Sequence, residues 1–315
     1  MRQVERFDHF MARANAAYYA SRDPFADFVT APELTQVFGE LLGGWARVVR
    51  QMLGEPSDII LAEAGPGRGV LMADALRVFG PARVHFIETS ARLKAEQARR
   101  VPGAIWHDTL DQVPDGPMIL FANEFLDALP VRQFIRRADC WMERHVNSGA
   151  YVELPSDRVL PDHPEGSVVE VNEAAAGFAG QLARRQAVAL FIDYGPLESG
   201  PGESVQAIAA RKYADPLAAP GSADITAHVD FAALGEAARA AGAEVQGPVK
   251  QNAFLTALGL HQRTDFLAAR AARPQAENLR LAARRLTAPE AMGSLFKAMA
   301  ICPKGVPPLP GFESL

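Results

Sequence analysis

Two short stretches of this chain carry residue types and spacings suited to chemistry. The first is Glu63-Ala64-Gly65-Pro66-Gly67-Arg68-Gly69, set between apolar Ile59–Ala62 and Val70–Leu76. The second is Asn123-Glu124-Phe125-Leu126-Asp127-Ala128-Leu129-Pro130, directly after apolar Met118–Ala122. Asp193 closes another apolar run, and His228 sits inside Thr226-Ala227-His228-Val229-Asp230. Glycines at 65 and 67 permit a tight turn and close approach of a ligand to the backbone, while a following helix offers free N–H donors. The first stretch therefore reads as a nucleotide cradle. The carboxylates of the second suit the holding of a cation, and an imidazole titrates near neutrality, as a general base must.

Glycine spacing separates two kinds of nucleotide ligand. A dinucleotide site expects G-x-G-x-x-G, with its third glycine at position 70. Position 70 is Val and the third glycine is Gly69, giving E-x-G-x-G-x-G. Such a loop has no pyrophosphate to seat and fits the methionine part of S-adenosylmethionine; a purely structural glycine turn is the competing account. Glu88 follows Gly65 by 23 residues, close to the separation at which a carboxylate at the end of the second strand meets a ribose diol. It could equally cap the helix starting near Ser90. Asp108 is placed to accept from an adenine amino group, or is an ordinary loop acid. Asn123 and Glu124 either touch ligands or fix their loop, Asp127 either helps them or caps the next turn, and His228 is a base or a structural histidine. His85 reads as a packed core residue.

The elements that must position these residues follow from periodicity. A helix over residues 1–20 carries Val4, Phe7, Phe10 and Met11 on one face. Thr30-Ala31-Pro32-Glu33 has the form of a capping box, opening a helix with Leu34, Val37, Phe38, Leu41, Leu42 and Trp45 inward and ending at Gly54. Strands are expected at Ile59–Ala62, Val84–Glu88, Ala104–Trp106, Met118–Ala122 and Ala187–Gly195, with helices between them. Ligands of such open α/β sheets lie beyond the carboxyl ends of the strands, so Gly65–Gly69 and Asn123–Pro130 should open onto one crevice. From Val131 the period changes to alternation, with Asn147-Ser148-Gly149 as a turn: an antiparallel meander followed by a helix around Glu173–Arg185. Residues 196–222, rich in Gly, Pro, Ser and Ala, read as a mobile loop. A helix Phe231–Ala241, a strand at Glu244–Gln246, a helical pair (Phe254–Leu260, Thr264–Leu286) and a last strand Ser294–Ile301 complete the pattern.

The expected organisation is therefore an N-terminal helical segment (1–54), an α/β core (55–130 and 186–302), an inserted meander (131–185) and an extended tail (303–315). Across 315 residues the net charge of −5 argues against a nucleic-acid partner, which usually meets a basic face. Two cysteines far apart, Cys140 and Cys302, cannot build a zinc site and point to a reducing compartment. No apolar run reaches membrane-spanning length. The N-terminus mixes acids and bases, unlike a signal or transit peptide, so a bacterial cytoplasmic enzyme is expected.

Several blocks together resemble the MidA family: Phe28-Val29-Thr30-Ala31-Pro32-Glu33, Phe38-Gly39-Glu40, the glycine motif, Asn123–Val131, Asp193-Tyr194-Gly195, Thr226–Asp230 and Leu295-Phe296-Lys297. The resemblance spans nearly the whole chain. It implies a class I methyltransferase (Rossmann-like) fold with a seven-stranded sheet, and S-adenosyl-L-methionine as cofactor. The cofactor contacts would be Thr30, Glu63, Gly65, Pro66, Gly67, Gly69, Glu88, Asp108 and Asn123. It also implies methylation of an arginine on a respiratory complex I subunit, as in mitochondrial-matrix members. Glu124 would be the principal clamp on the guanidinium, with Asp127, Asp193 or His228 assisting. Small-molecule methylation, or assembly activity without turnover, are the alternatives. One departure concerns Asp23-Pro24-Phe25-Ala26-Asp27-Phe28, which lacks residues that family members usually carry there; the shortened segment bears on the acceptor.

Overall fold

The computed structural model describes residues 4–22, 25 and 29–313. The shortened segment falls largely outside these, and only its Phe25 is described. The chain opens with β1 (Glu5–Arg6) and α1 (Phe7–Ser21), whose Phe7, Phe10 and Met11 are buried as expected. Val4 is not on that stripe: it precedes β1 and is 42% exposed.

The capping-box helix is corrected by the structure. A single turn, α2 (Ala31–Leu34), starts at Thr30 without a side-chain cap, and the chain then extends at Thr35 (φ −163°, ψ 139°). The long helix α3 (Gln36–Met52) begins only there, with the Thr35 hydroxyl accepting from the Val37 N–H at 3.2 Å. The Ala31 N–H, which opens α2 and has no partner within the helix, donates to the Glu124 carboxylate at 2.9 Å.

The core then alternates: β2 (Ile60–Ala64), α4 (Val70–Phe79), β3 (Arg83–Ile87), α5 (Ala91–Arg100), β4 (Ile105–His107) and β5 (Met118–Asn123). The insertion follows as β6 (Arg132–Arg137), β7 (Cys140–Asn147), β8 (Ala150–Ser156), β9 (Val168–Val171) and α6 (Glu173–Arg184), after which β10 (Val188–Tyr194) rejoins the core. β1 extends the inserted sheet by pairing with β7. In 196–222, read as mobile from its composition, the chain instead forms the hairpin β11 (Gln206–Ala209) and β12 (Lys212–Ala214), with β13 (Asp224–Thr226) completing a three-stranded sheet. Its two-residue turn puts Ala210 and Arg211 at φ 49° and 62°. Ala-Arg lacks the Asn-Gly signal that normally announces such a turn.

The remainder is α7 (Phe231–Ala240), β14 (Glu244–Lys250), α8 (Gln251–Ala257), α9 (Leu260–Ala268), α10 (Arg273–Thr287) and β15 (Phe296–Cys302). The expected helical pair is thus three helices. Gly259 turns the chain with φ 89° before α9, and Pro274 starts α10.

The central sheet has seven strands in the order β14-β15-β10-β5-β2-β3-β4, parallel except for β15, which runs antiparallel to both neighbours. β2, β5 and β15 are buried at every residue, as expected of strands covered on both faces. One face packs on α3 and α4, the other on α6 and α7. A Cβ on Gly43 of α3 would lie 2.2 Å from the Ala75 carbonyl oxygen of α4, so the two helices are in backbone contact. The Phe38-Gly39-Glu40 block belongs to this packing: Glu40 is buried and accepts from Arg263 at 2.8 Å, tying α9 to α3. The described part of the 303–315 segment lies on the core, with Leu309 and Phe312 buried and the Trp45 indole donating to the Pro310 carbonyl at 3.1 Å.

Candidate functional site

The loops after β2, β3, β4 and β5 converge on a cavity of about 400 Å³, within the size range of small-molecule sites. Of the residues singled out in the sequence, Thr30, Glu63, Gly65, Pro66, Gly67, Glu88, Asp108, Asn123 and Glu124 line it. Gly69, Asp127, Asp193 and His228 do not.

The glycine loop leaves β2 with Gly65, Gly67 and Gly69 at φ 63°, 52° and 76°. Space is also reserved there: a Cβ on Gly65 would stand 2.8 Å from the Phe125 ring, and one on Gly67 2.7 Å from the Phe25 ring. The loop is pinned from behind by Gln97 of α5, a fully buried residue that the sequence did not flag. Its amide donates to the Gly67 carbonyl at 2.7 Å and to Glu88 at 3.2 Å, and accepts from the Trp106 indole at 2.7 Å. One side chain thus sets the glycine turn against the Glu88 carboxylate. Glu88 also accepts from the Ser90 N–H at 2.7 Å, so it serves the entry to α5 while lining the cavity. Burial pushes its carboxyl above the usual range.

Glu63 is 3% exposed, its Oε2 finds no donor among the described residues, and burial pushes its carboxyl up to about 8. An unmet buried acceptor beside an open cavity is a place for a ligand's N–H groups. Asp108 stands at the rim with its side chain 60% exposed and paired with Lys94 at 2.7 Å. His85 is fully buried on β3, with Nδ1 2.8 Å from His107 Nε2, so it is a core histidine.

The loop after β5 is built differently. Glu124 takes a left-handed φ of 50°, which a non-glycine residue adopts at a cost of about 1 kcal/mol or more. Its N–H donates to the Ile192 carbonyl at 2.9 Å, and its Oε1 accepts from Ala31 N–H at 2.9 Å and Asn123 Nδ2 at 3.2 Å. Oε2 has no partner among the described residues. Burial, reinforced by the nearby Asp127 carboxylate, raises the Glu124 carboxyl to about 7.

Asp193 lies behind this loop, fully buried at the end of β10. One oxygen accepts from the N–H groups of Phe125, Leu126 and Asp127 at 3.2, 2.9 and 3.3 Å, and the other from Tyr194 N–H at 2.9 Å. It holds the backbone of the loop rather than facing the cavity. Burial and the neighbouring Asp127 and Glu124 carboxylates push it upward, against the pull of those N–H donors. Asp127 is buried with Oδ1 unmet among the described residues, and burial raises it to about 6. His228 is exposed, its N–H donates to Ser204 Oγ at 2.8 Å, and its ring meets Tyr194 edge-on. Asp230 N-caps α7 by accepting from Ala233 N–H at 2.9 Å. The Leu295-Phe296-Lys297 block is architectural as well: the Lys297 ammonium caps the carbonyls of Gly195, Ser294 and Leu295 at 2.7 to 2.8 Å.

Sequence reasoning missed the roof. Ala12, Asn15, Ala16 and Tyr19 of α1 line the cavity, as do Phe25 and Arg68, whose guanidinium stacks on the Phe25 ring at 4.6 Å. The amide of Asn15 donates to the carbonyls of Ala128 and Ile225 and accepts from Ile225 N–H, at 2.7 to 3.0 Å. The Tyr19 carbonyl accepts from Ser90 Oγ at 2.9 Å. A polar pair at 15 and 19 beside alanines at 12 and 16 was the available signal.

The sequence and fold are similar to those of known proteins. A family model described as "Putative S-adenosyl-L-methionine-dependent methyltransferase" matches residues 41–249. The chain belongs to this methyltransferase family. "Protein arginine methyltransferase NDUFAF7 homolog, mitochondrial" of Drosophila melanogaster is 31% identical over 354 residues, covering 95% of this chain and 81% of the relative. The human protein of that name is 31% identical over 338 residues, covering 91% and 76%. Among solved structures, one from Burkholderia thailandensis with bound S-adenosyl-homocysteine superposes with TM-score 0.80 at 27% identity, covering 98% of this chain and 90% of that one. The resemblance to MidA and the class I fold expected from it are borne out, and the cofactor of this methyltransferase is S-adenosylmethionine. The residues present fit it: a side-chain-free turn at Gly65–Gly69, an unmet buried carboxylate oxygen on Glu63 for an amino group, and Glu88 at the end of β3.

Proposed function

We propose that this methyltransferase transfers its methyl group to an arginine of a protein, and that the acceptor is a subunit of a respiratory complex I under assembly. The observation carrying the reading is Glu124, a partly buried carboxylate lining the cavity, with one oxygen held by Ala31 and Asn123 and the other without a partner among the described residues. Relatives named protein arginine methyltransferase support it.

The bound cofactor supplies a methyl activated on sulfonium. In our reading Glu63 takes its amino group, the Gly65–Gly69 backbone its carboxylate end, Glu88 its ribose and Asp108 its adenine edge, with Thr30 and Pro66 closing the rim. An arginine side chain is cationic at any working pH and donates through a planar fork. Glu124 Oε2 would hold that fork and orient one nitrogen for in-line attack. A C–N bond forms as the C–S bond breaks, and the nitrogen's proton leaves to Glu124, whose affinity near neutrality suits that exchange. Asp193 contributes by fixing the loop, Asp127 by its charge beneath Glu124. His228 has only its position downstream of the loop to recommend it. The setting we propose is the bacterial cytoplasm, consistent with two unpaired cysteines.

The test is labelling of a lysate with methyl-tritiated cofactor and purified enzyme, then acid hydrolysis and amino-acid analysis of the protein fraction. Methylated arginine is expected. Label confined to metabolites or to lysine refutes the assignment.

A further inference from the structure

Resting on that reading, we propose that the acceptor side chain enters through a slot between α1 and residues 128–130, ending on paired oxygens of Asn123 and Glu124. The class of ligand it admits is a long, unbranched cationic side chain on an accessible stretch of polypeptide.

Three observations meet here. Ala12 and Ala16, one helical turn apart, line the cavity and are themselves exposed, so this side of the cavity reaches solvent. Leu129 and Pro130, partly exposed, line the same cavity, and the Asn15 amide ties their segment to α1 by bonding the Ala128 carbonyl at 3.0 Å. The walls are therefore small or apolar, and positions 12 and 16 carry only a methyl.

At the inner end, Asn123 is nine-tenths buried, and its Oδ1 meets no donor among the described residues. Its Nδ2 is spent on Glu124 Oε1 at 3.2 Å, which turns Oδ1 away from that oxygen. Asn123 Oδ1 and Glu124 Oε2 are thus two acceptors on adjacent residues, one neutral and one anionic. A guanidinium offers several N–H groups in one plane, enough to satisfy both. An ammonium would meet the same oxygens without the planar match. Asn123 thereby moves from the cofactor contacts expected from the sequence to the acceptor.

A steric series at one exposed helix position tests the slot. Ala16→Gly, Ala16→Leu and Ala16→Phe, with Asn123→Ala, are compared with the wild type for S-adenosyl-homocysteine affinity by calorimetry and for methylarginine formation in lysate. Melting temperatures check folding. As the side chain at 16 grows from Gly to Phe, the methylarginine rate should fall, by about tenfold or more at Phe, while cofactor affinity stays within about threefold. Asn123→Ala should show the same split. A flat rate across the series, or a cofactor affinity that falls with the rate, overturns the slot; cofactor loss in Asn123→Ala returns that residue to the cofactor. A wild type that forms no methylarginine refutes the functional reading itself, a result separate from any of these.

Discussion

The loops that leave β2 and β5 are neighbours, because those strands pair in parallel, yet they meet the cavity with opposite chemistry. After β2 the chain removes side chains: three glycines with positive φ expose backbone, and Gln97 holds the turn from behind. After β5 it keeps a long carboxylate side chain, forces Glu124 into a left-handed conformation and surrounds it with Asp127 and Asp193. The first loop is shaped for close approach and tolerates no Cβ. The second gathers carboxyls whose ionisation is opposed by burial and by one another, so a cationic ligand favours their charged forms where a neutral one would not. In the proposed reading, binding of the cofactor and handling of the cation are separated across one strand spacing.

That separation can be broken loop by loop. Glu124→Gln should have the largest effect, cutting methyl transfer by about a thousandfold while cofactor affinity stays within about threefold, measured by tritium transfer and calorimetry. Unchanged turnover would remove Glu124 from the mechanism. Gly67→Ala adds a methyl against the Phe25 ring at an unfavourable φ, and should weaken cofactor binding by about a hundredfold. Gln97→Leu leaves both loops in place but unties Gly67 from Glu88; about tenfold weaker cofactor binding is expected. Rate losses without affinity losses in either of these would blur the division.

pH offers a further handle. Glu124 must be ionised to hold a cation, and its carboxyl is raised to about 7, so kcat/KM should rise with pH through about 7 and lose that limb in Glu124→Gln. Glu63 is raised to about 8 in the fold, so the folded state holds a proton that the unfolded chain releases from about pH 4.5 upward. Its contribution to stability therefore declines between those values. Glu63→Gln should raise the melting temperature of the cofactor-free protein at pH 8 and change it least at pH 5.

Much of this was legible in the residues. The glycine spacing, Glu88 after the second strand and the Asn-Glu pair after the fourth each fall on the cavity, because apolar runs fix strands and strands fix where their loops emerge. What escaped depends on partners remote in sequence. Thr30 and Glu33 satisfy the capping rule, but the Thr30 side chain caps nothing, and the first helical N–H, that of Ala31, goes to Glu124, 93 residues away. Gln97 looks like any polar helix residue until Trp106 and Gly67 enclose it. The hairpin Gln206–Ala214 hid behind an Ala-Arg turn and Gly- and Pro-rich flanks. Asp193 carried the right residue type for a clamp, and only its four N–H donors reveal that it secures the loop.

The amide of Asn15 imitates a peptide unit. By taking both the N–H and the carbonyl of Ile225, it occupies the outer margin of β13, where another extended segment would otherwise dock. Deleting α1 would bare that margin, turning the remaining protein into a template for joining other chains.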